Sequence, residues 1–234
     1  MSSSTLFFLS LIAFTLAAPL SVVDIAARDD GFTASPDIDV ARILSAAQAA
    51  REDSLASFPH NSASSADVEI FGDWASLPGV SAIHFFADMD VDCDGVAGCS
   101  DDPSGQSSTS FGHLDAAQVP YFVLPADFVA AHADLIQPNA VGAIVCGGQM
   151  VYGIFGDTNG ATPEVIGEGS LLLAQTCFPE EGLNANNGHT PLDVLYIVFG
   201  NAVAPNVADS TIDIAGLKAV GDQQAGLLQT ALKL

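Results

Sequence analysis

The chain has 234 residues, of which 49% are hydrophobic and only 14% charged, a composition that predicts a folded globular protein and excludes a disordered one. The formal net charge is -23. No Lys or Arg occurs from residue 52 to residue 217, which excludes a basic surface for nucleic acid in that interval. An acidic cleft without cations concentrates positively charged ligands, so we expect a cation or polycation as the partner. The alternative is that the acidity serves only solubility.

The N-terminal segment predicts export from the cell. Residues 6–18 are apolar but fall short of the ~20 residues that a membrane span needs, and small residues suited to cleavage surround their end. We expect a signal peptide over residues 1–17, a propeptide or flexible arm over residues 18–35, and one domain of catalytic size over residues 36–234. A buried N-terminal helix is the alternative for the leader. The predicted localisation is secreted and extracellular, with no membrane attachment after cleavage.

Helical signals lie near both ends of the chain. Ser35 as N-cap, Pro36 and an apolar residue at every third position predict a helix over residues 36–50. Ser170 is expected to cap a short helix that reaches residue 176. Residues 212–234 predict a closing helix that is interrupted at Gly221.

Between residues 68 and 199, short apolar runs separated by Gly, Pro, Asn and Asp indicate β-strands. The clearest predicted strands span residues 80–86, 121–124, 143–146, 150–155 and 192–199. Gly147 and Gly148 form a two-residue turn signal that predicts a tight hairpin. The predicted fold class is mainly β (α+β): a compact β-rich core, for which we expect a small β-barrel, with flanking N- and C-terminal helices.

Four cysteines in an exported chain predict two disulfides with three possible connectivities. We expect Cys93 to pair with Cys99 and Cys146 to pair with Cys177. The alternative, a zinc site, is disfavoured because the sequence contains no CxxC pair and no His cluster near the cysteines.

The segment DMDVDCDG, residues 88–95, carries an Asp at every second position. On an extended segment these side chains share one face, where their charges repel one another unless a cation lies among them. We expect the four residues to bind the amines of a cationic ligand, and we expect no metal; the four are Asp88, Asp90, Asp92 and Asp94. A calcium loop is one alternative, because the segment and Asp101 partly match an EF-hand, and a solvated acidic loop is another.

A second candidate site follows the predicted strand 150–155. Asp157 precedes an Asn-Gly turn, and Glu168 lies between two glycines that allow a bulky ligand to approach. Two carboxylates brought together across such a turn satisfy the needs of glycoside hydrolysis, one as proton donor and one as base or nucleophile. From the residues alone, an ordinary surface turn remains the alternative.

Five segments carry a resemblance to a known family. They are DMDVDCDG at 88–95, VPYFVLP at 119–125, GAIVCGGQMVYGIFGDTNG at 142–160, VIGEGSLLLAQTCFP at 165–179 and NNGHTPLDVLYIVFG at 186–200. In these segments and in their order the chain resembles the fungal chitosanases of glycoside hydrolase family 75. The resemblance implies endo-acting hydrolysis of chitosan with inversion, and it implies that Asp157 and Glu168 are the catalytic carboxylates. That family commonly has Ala where this chain has Gly169.

We expect Glu168 to be the general acid, since it follows an apolar pair, and Asp157 to be the general base. Asn159, Asn187 and His189 are further candidates for substrate binding, with structured turns as the alternative for each. Trp74 and Tyr121 are expected in the core. We expect no cofactor and a monomer. The rival function is a non-catalytic, secreted calcium- or chitosan-binding protein.

Overall fold

The computed structural model describes residues 31–63, 67–95, 109–208 and 210–234. Within these ranges the elements in chain order are α1 (Val40–Ala49), β1 (Ser54–Pro59), β2 (Asp67–Phe71), β3 (Ala82–Asp92), β4 (Tyr121–Pro125), α2 (Ala126–Ala131), β5 (Ala140–Cys146), β6 (Gln149–Asn159), β7 (Glu168–Ser170), α3 (Leu171–Cys177), β8 (His189–Val203) and α4 (Ile214–Leu232). No helix in the described part of the chain has the length and apolar character needed to cross a lipid bilayer.

Six strands close into a small barrel. β3, β7, β4, β6, β5 and β8 pair in that order, and β8 pairs again with β3. Neighbouring strands are antiparallel except for β3 with β7 and β4 with β6, which are parallel. β1 and β2 form an antiparallel pair joined to β3 where Phe71 lies opposite His84. The predicted β-rich fold with a barrel core and helices near both ends is confirmed.

The barrel strands form because their apolar runs are buried on both faces. Every residue of β5 is buried, as expected for a continuous apolar run covered on two sides, and α4 packs against β5, β6 and β8. Phe85 on β3 stacks on Tyr196 on β8 with ring centroids 4.7 Å apart. The Tyr196 hydroxyl donates to the backbone oxygen of Asp88 at 3.0 Å, which fixes β3 where its acidic part begins. Trp74 and Tyr121 are buried, as predicted.

The first helix begins later than predicted. Asp39 caps α1, with its Oδ1 accepting a hydrogen bond from the backbone N–H of Arg42 at 3.1 Å. The prediction that Ser35 caps a helix from residue 36 is wrong, because the Ser35 hydroxyl donates instead to Oδ2 of Asp222 on α4 at 2.6 Å. The Ser35 side chain therefore makes a tertiary hydrogen bond to α4 and does not cap α1.

The predicted interruption of the last helix at Gly221 is also wrong, since α4 is continuous through it. A Cβ atom at Gly221 would collide with the ring of Tyr152 on β6, and the Tyr152 hydroxyl donates to Oδ1 of Asp222 at 2.9 Å. Glycine suits this position because α4 and β6 approach closely here. A glycine inside a helix is about 1 kcal/mol less favourable than alanine, and the close packing offsets this difference.

Residues 31–35, the described end of the predicted arm, pack on the barrel. Phe32 is buried, and its carbonyl accepts from the backbone N–H of Tyr152 at 2.9 Å. Lys218 on α4 donates to the carbonyl of Thr33 at 2.7 Å. The predicted signal peptide and the rest of the predicted arm lie outside the described residues.

Local turn and cap signals are confirmed around the second half of the barrel. Gly147 and Gly148 have φ of 54° and 80° and join β5 to β6 as a tight hairpin, and Ser170 caps α3. The predicted disulfide between Cys146 and Cys177 is present and ties the end of β5 to the end of α3. Cys93 is disulfide-bonded, and its predicted partner Cys99 lies outside the described residues.

Candidate active site

A cleft of about 510 Å³ lies where the end of β3, the end of β6, the start of β7 and the segment before β8 meet. Five acidic residues line it: Asp90, Asp92, Asp94, Asp157 and Glu168. Among the described residues that line this cleft there is no Lys, Arg or His. The cleft therefore concentrates negative charge with no neutralising side chain in its described wall.

The acidic segment becomes one wall of the cleft because β3 continues through it to Asp92. Strand β7 pairs in parallel with this part of β3, placing Asp90 opposite Glu168 and Asp92 opposite Ser170. The backbone N–H of Asp90 donates to Gly167 O at 2.8 Å. Residues far apart in the sequence are thereby placed on adjacent strands.

A β-bulge positions Asp157. Phe122 on β4 pairs with Phe155 while Val123 pairs with Asp157, so Gly156 is the extra residue in β6. A Cβ atom at Gly156 would lie 2.7 Å from Cβ of Tyr121, so only glycine fits this crossing of strands. Bulges of this kind redirect the following side chain, and here Asp157 lines the cleft.

Asp157 is held through one carboxylate oxygen. Its Oδ1 accepts hydrogen bonds from the Ser110 N–H at 2.8 Å, the Ser110 hydroxyl at 2.5 Å and the Thr158 N–H at 2.7 Å. The side chain is nearly buried, with Asp157 only 4% exposed. Donors to a carboxylate favour its ionised form, so this environment stabilises the negative charge.

Glu168 has a different environment. Gly167, at φ 108°, leads into it, and a Cβ atom there would collide with Oδ1 of Asp88. Burial raises the pKa of Glu168 to about 7; the hydrogen bond from Asn159 Nδ2 to its Oε2, at 3.0 Å, lowers that pKa, while the charges of Asp90 and Asp157 raise it. The carboxyl group is therefore half-protonated near neutral pH and protonated below it.

Like charges also act on the other cleft carboxylates. Burial raises the pKa of Asp92 to about 8; the hydrogen bond from the Asp94 N–H at 2.8 Å lowers it, and the charges of Asp157, Glu168 and Asp94 raise it further. Burial also raises the pKa of Asp90. A positive ligand in the cleft relieves this repulsion and favours the ionised carboxylates.

Three carboxylates lie close enough to share one cation. One oxygen each from Asp92, Asp94 and Asp157 lies within 4.8 Å of the others. Such oxygens suit either a hard metal ion or an ammonium group. Because all three belong to the acidic cleft and no further feature singles out a metal, none is assigned to them. Asp101, part of the partial EF-hand match, lies outside the described residues.

Asp88 lies outside the lining of the cleft. It is buried, and its Oδ2 is 2.7 Å from Nδ1 of His60. Burial raises the pKa of Asp88 to about 6; the bond with His60 lowers it, and the charge of Asp90 raises it. Asp88 therefore does not line the cleft with Asp90, Asp92 and Asp94. Its carboxyl group lies against Gly167.

The segment before β8 lines the cleft beside the end of β3, since Met89 pairs with His189 and a Cβ atom at Gly188 would collide with Oδ1 of Asp90. Asn184 and Asn187 exchange backbone hydrogen bonds of 3.1 and 2.9 Å, and both line the cleft. His189 does not line it. Its Nδ1 is 2.9 Å from Glu181 and its Nε2 2.9 Å from Asp193; burial lowers its pKa, but these carboxylates outweigh burial and raise it. His189 thus anchors this segment, while Asn187 and Asn159 reach the cleft.

Sequence reasoning missed Ser110, which contacts Asp157, and Asn184 and Asn186, which line the cleft. The Asn-rich stretch around Asn187 was a visible signal for the latter two, because asparagine is common both in turns and in polar binding loops. Ser110 had no comparable signal, since nothing local to it points toward Asp157.

The sequence matches the family described as fungal chitosanase of glycosyl hydrolase group 75 over residues 89–224, which is more than half of the chain. It is 45% identical to endo-chitosanase C of Aspergillus oryzae over 210 residues, covering 87% of this chain and 55% of that protein. It is 43% identical to an endo-chitosanase of Aspergillus fumigatus over 145 residues, covering 53% of this chain and 59% of that protein. The chain thus spans little more than half the length of these relatives.

Proposed function

The chain belongs to the fungal chitosanases of glycosyl hydrolase group 75, and on that basis we propose that it is a secreted endo-chitosanase. It hydrolyses β-1,4 glycosidic bonds within chitosan by an inverting mechanism that uses two carboxylates. The relatives are named endo-chitosanases, and the chemistry of the cleft supports the same activity for this chain.

The observation that carries the proposal is that Asp157 and Glu168 line one acidic cleft in contrasting environments. Glu168, whose pKa is raised to about 7 by burial, retains the proton that a general acid must donate to the glycosidic oxygen. Asp157, held by three donors on Oδ1, accepts a proton from the attacking water. Attack by that water on the opposite face of the sugar inverts the anomeric carbon.

The remaining acidic side chains account for the choice of a cationic substrate. Asp90, Asp92 and Asp94 lie along one wall of the cleft, where protonated glucosamine units neutralise their repulsion. Asn159, at the end of β6, and Asn187, before β8, supply amide groups for sugar hydroxyls in the same cleft. A neutral, fully acetylated chain gains nothing from this charge, so the proposal favours chitosan over chitin.

Viscosity of a chitosan solution tests the proposal directly. We expect a rapid fall in viscosity on addition of the protein, because endo-cleavage shortens long chains before many reducing ends form. Soluble, fully acetylated oligosaccharides serve as the neutral control and should be cleaved much more slowly. Proton NMR of fresh products should show the α-anomer first. Binding of chitosan with unchanged viscosity would establish the non-catalytic alternative, and an initial β-anomer would establish a retaining mechanism.

A further inference from the structure

Ser110 contacts the proposed general base twice, although neither its position in the sequence nor its residue type suggested a role. Its backbone N–H and its hydroxyl converge on the same atom, Oδ1 of Asp157, at 2.8 and 2.5 Å. One residue thus provides two of the three donors described on that oxygen. An arrangement in which two donors of one residue meet on one oxygen fixes both the position and the rotation of a carboxylate.

The single hydrogen of the Ser110 hydroxyl determines which of its hydrogen bonds it donates and which it accepts. A hydroxyl has one hydrogen, and an ionised carboxylate can only accept, so Ser110 donates to Asp157. Thr158 Oγ1, at 2.7 Å from Ser110 Oγ, must then donate to Ser110, and the Thr158 N–H also approaches the same oxygen at 3.2 Å. Donation into Ser110 Oγ polarises its own O–H bond and strengthens its hold on Asp157.

The segment that carries Ser110 is itself anchored beside the bulge in β6. The Thr109 hydroxyl donates to the carbonyl of Gly112 at 3.1 Å and closes a tight turn around Ser110. The Phe111 ring packs edge-on against Phe155, with centroids 5.0 Å apart and the planes at 75°. Phe155 precedes Asp157 by two residues on β6. Ser110 is exposed on the surface of the protein, yet its neighbours hold it at a fixed distance from Asp157.

We propose that Ser110 is a positioning residue for hydrolysis, which holds Oδ1 of Asp157 so that Oδ2 accepts the proton of the attacking water. This inference rests on the proposed function, in which Asp157 is the general base. With its described donors all on Oδ1, the carboxylate cannot rotate without breaking three hydrogen bonds. A base held in one orientation avoids reorganisation during the reaction.

Ser110→Ala keeps the backbone donor and removes the hydroxyl, so it tests the side chain alone. We expect kcat to fall on the order of tenfold, since a hydrogen bond to a charged group is lost, while KM stays unchanged. Ser110→Thr retains a hydroxyl and should restore most of the activity. Ser45→Ala removes a surface hydroxyl that bonds only within α1, and it should match the wild type.

The assay includes Asp157→Asn so that two kinds of failure can be distinguished. Wild-type turnover in Ser110→Ala, alongside a severe defect in Asp157→Asn, would overturn the role of Ser110 and leave the proposed function intact. A defect in Ser110→Ala confined to KM would make Ser110 a binding residue and overturn the inference as well. Wild-type turnover in Asp157→Asn would overturn both the inference and the assignment of the base.

Discussion

Asp157 and Glu168 line the same cleft, yet the groups around them differ. Asp157 receives three hydrogen bonds on one oxygen, two of them from backbone N–H groups. Among the described residues, Glu168 accepts one side-chain hydrogen bond, from the Asn159 amide, and it lies partly buried beside other carboxylates. The comparison explains how two carboxylates in one cleft can suit opposite roles, since donors stabilise the charge of one and desolvation disfavours the charge of the other.

The largest expected effect comes from removing each carboxylate. Asp157→Asn and Glu168→Gln should each lower turnover of chitosan by at least ~10²-fold, with substrate binding nearly intact. A glucosamine oligosaccharide with a good aryl leaving group sharpens the comparison, because such a substrate needs no acid catalyst. We expect it to restore turnover in Glu168→Gln but not in Asp157→Asn. Restoration in the Asp157 variant instead would reverse the assignment of acid and base.

The two glycines that flank Glu168 provide a matched pair of variants. Gly167→Ala forces a side chain into the left-handed region and against Asp88, so we expect it to lower the free energy of unfolding by at least about 1–2 kcal/mol and to reduce turnover. Gly169→Ala creates a Cβ atom 3.1 Å from Cδ2 of Leu173, a flexible end that can shift. We expect its effect on unfolding to stay below about 1 kcal/mol, with turnover retained. Thermal melts and chitosan assays on both variants measure the difference, and equal effects would contradict this account of Gly167.

The pH dependence of turnover tests the protonation of Glu168. A general acid with its pKa raised to about 7 acts while protonated, so turnover should be retained below pH 7 and lost as the pH rises through that value. Asp90→Asn removes a like charge and should lower that pKa, which moves the basic limb to lower pH. Asp134→Asn makes the same charge change on the exposed surface outside the cleft, and it should leave the basic limb of the pH–turnover curve unchanged. A basic limb unmoved by Asp90→Asn would mean that the charge of Asp90 does not reach Glu168.

Much of the barrel could be predicted because its signals are local. The apolar runs on either side of Gly147 and Gly148 predicted β5, β6 and their hairpin, and Ser170 predicted the start of α3. The regular spacing of the aspartates predicted one shared face, and three of the four line the cleft while Asp88 does not. The sequence also singled out Asp157 and Glu168, through their turn and glycine neighbours and through the family resemblance, and the structure brings both into one cleft.

What local patterns left open depends on contacts between distant segments. Gly221 resembled a helix break but is a packing position against Tyr152, and Ser35 resembled a cap but bonds to α4. The protonation of Glu168 follows from the parallel pairing of β3 with β7, which buries it beside Asp90. Ser110 reaches Asp157 only because the barrel brings their segments together. The sequence by itself determined the longer barrel strands, the hairpin turn and the candidate acidic residues, since these follow from apolar runs and backbone preference. Only the tertiary structure decided how each carboxylate is surrounded, because the three donors on Asp157 and the desolvation of Glu168 depend on segments distant in the chain.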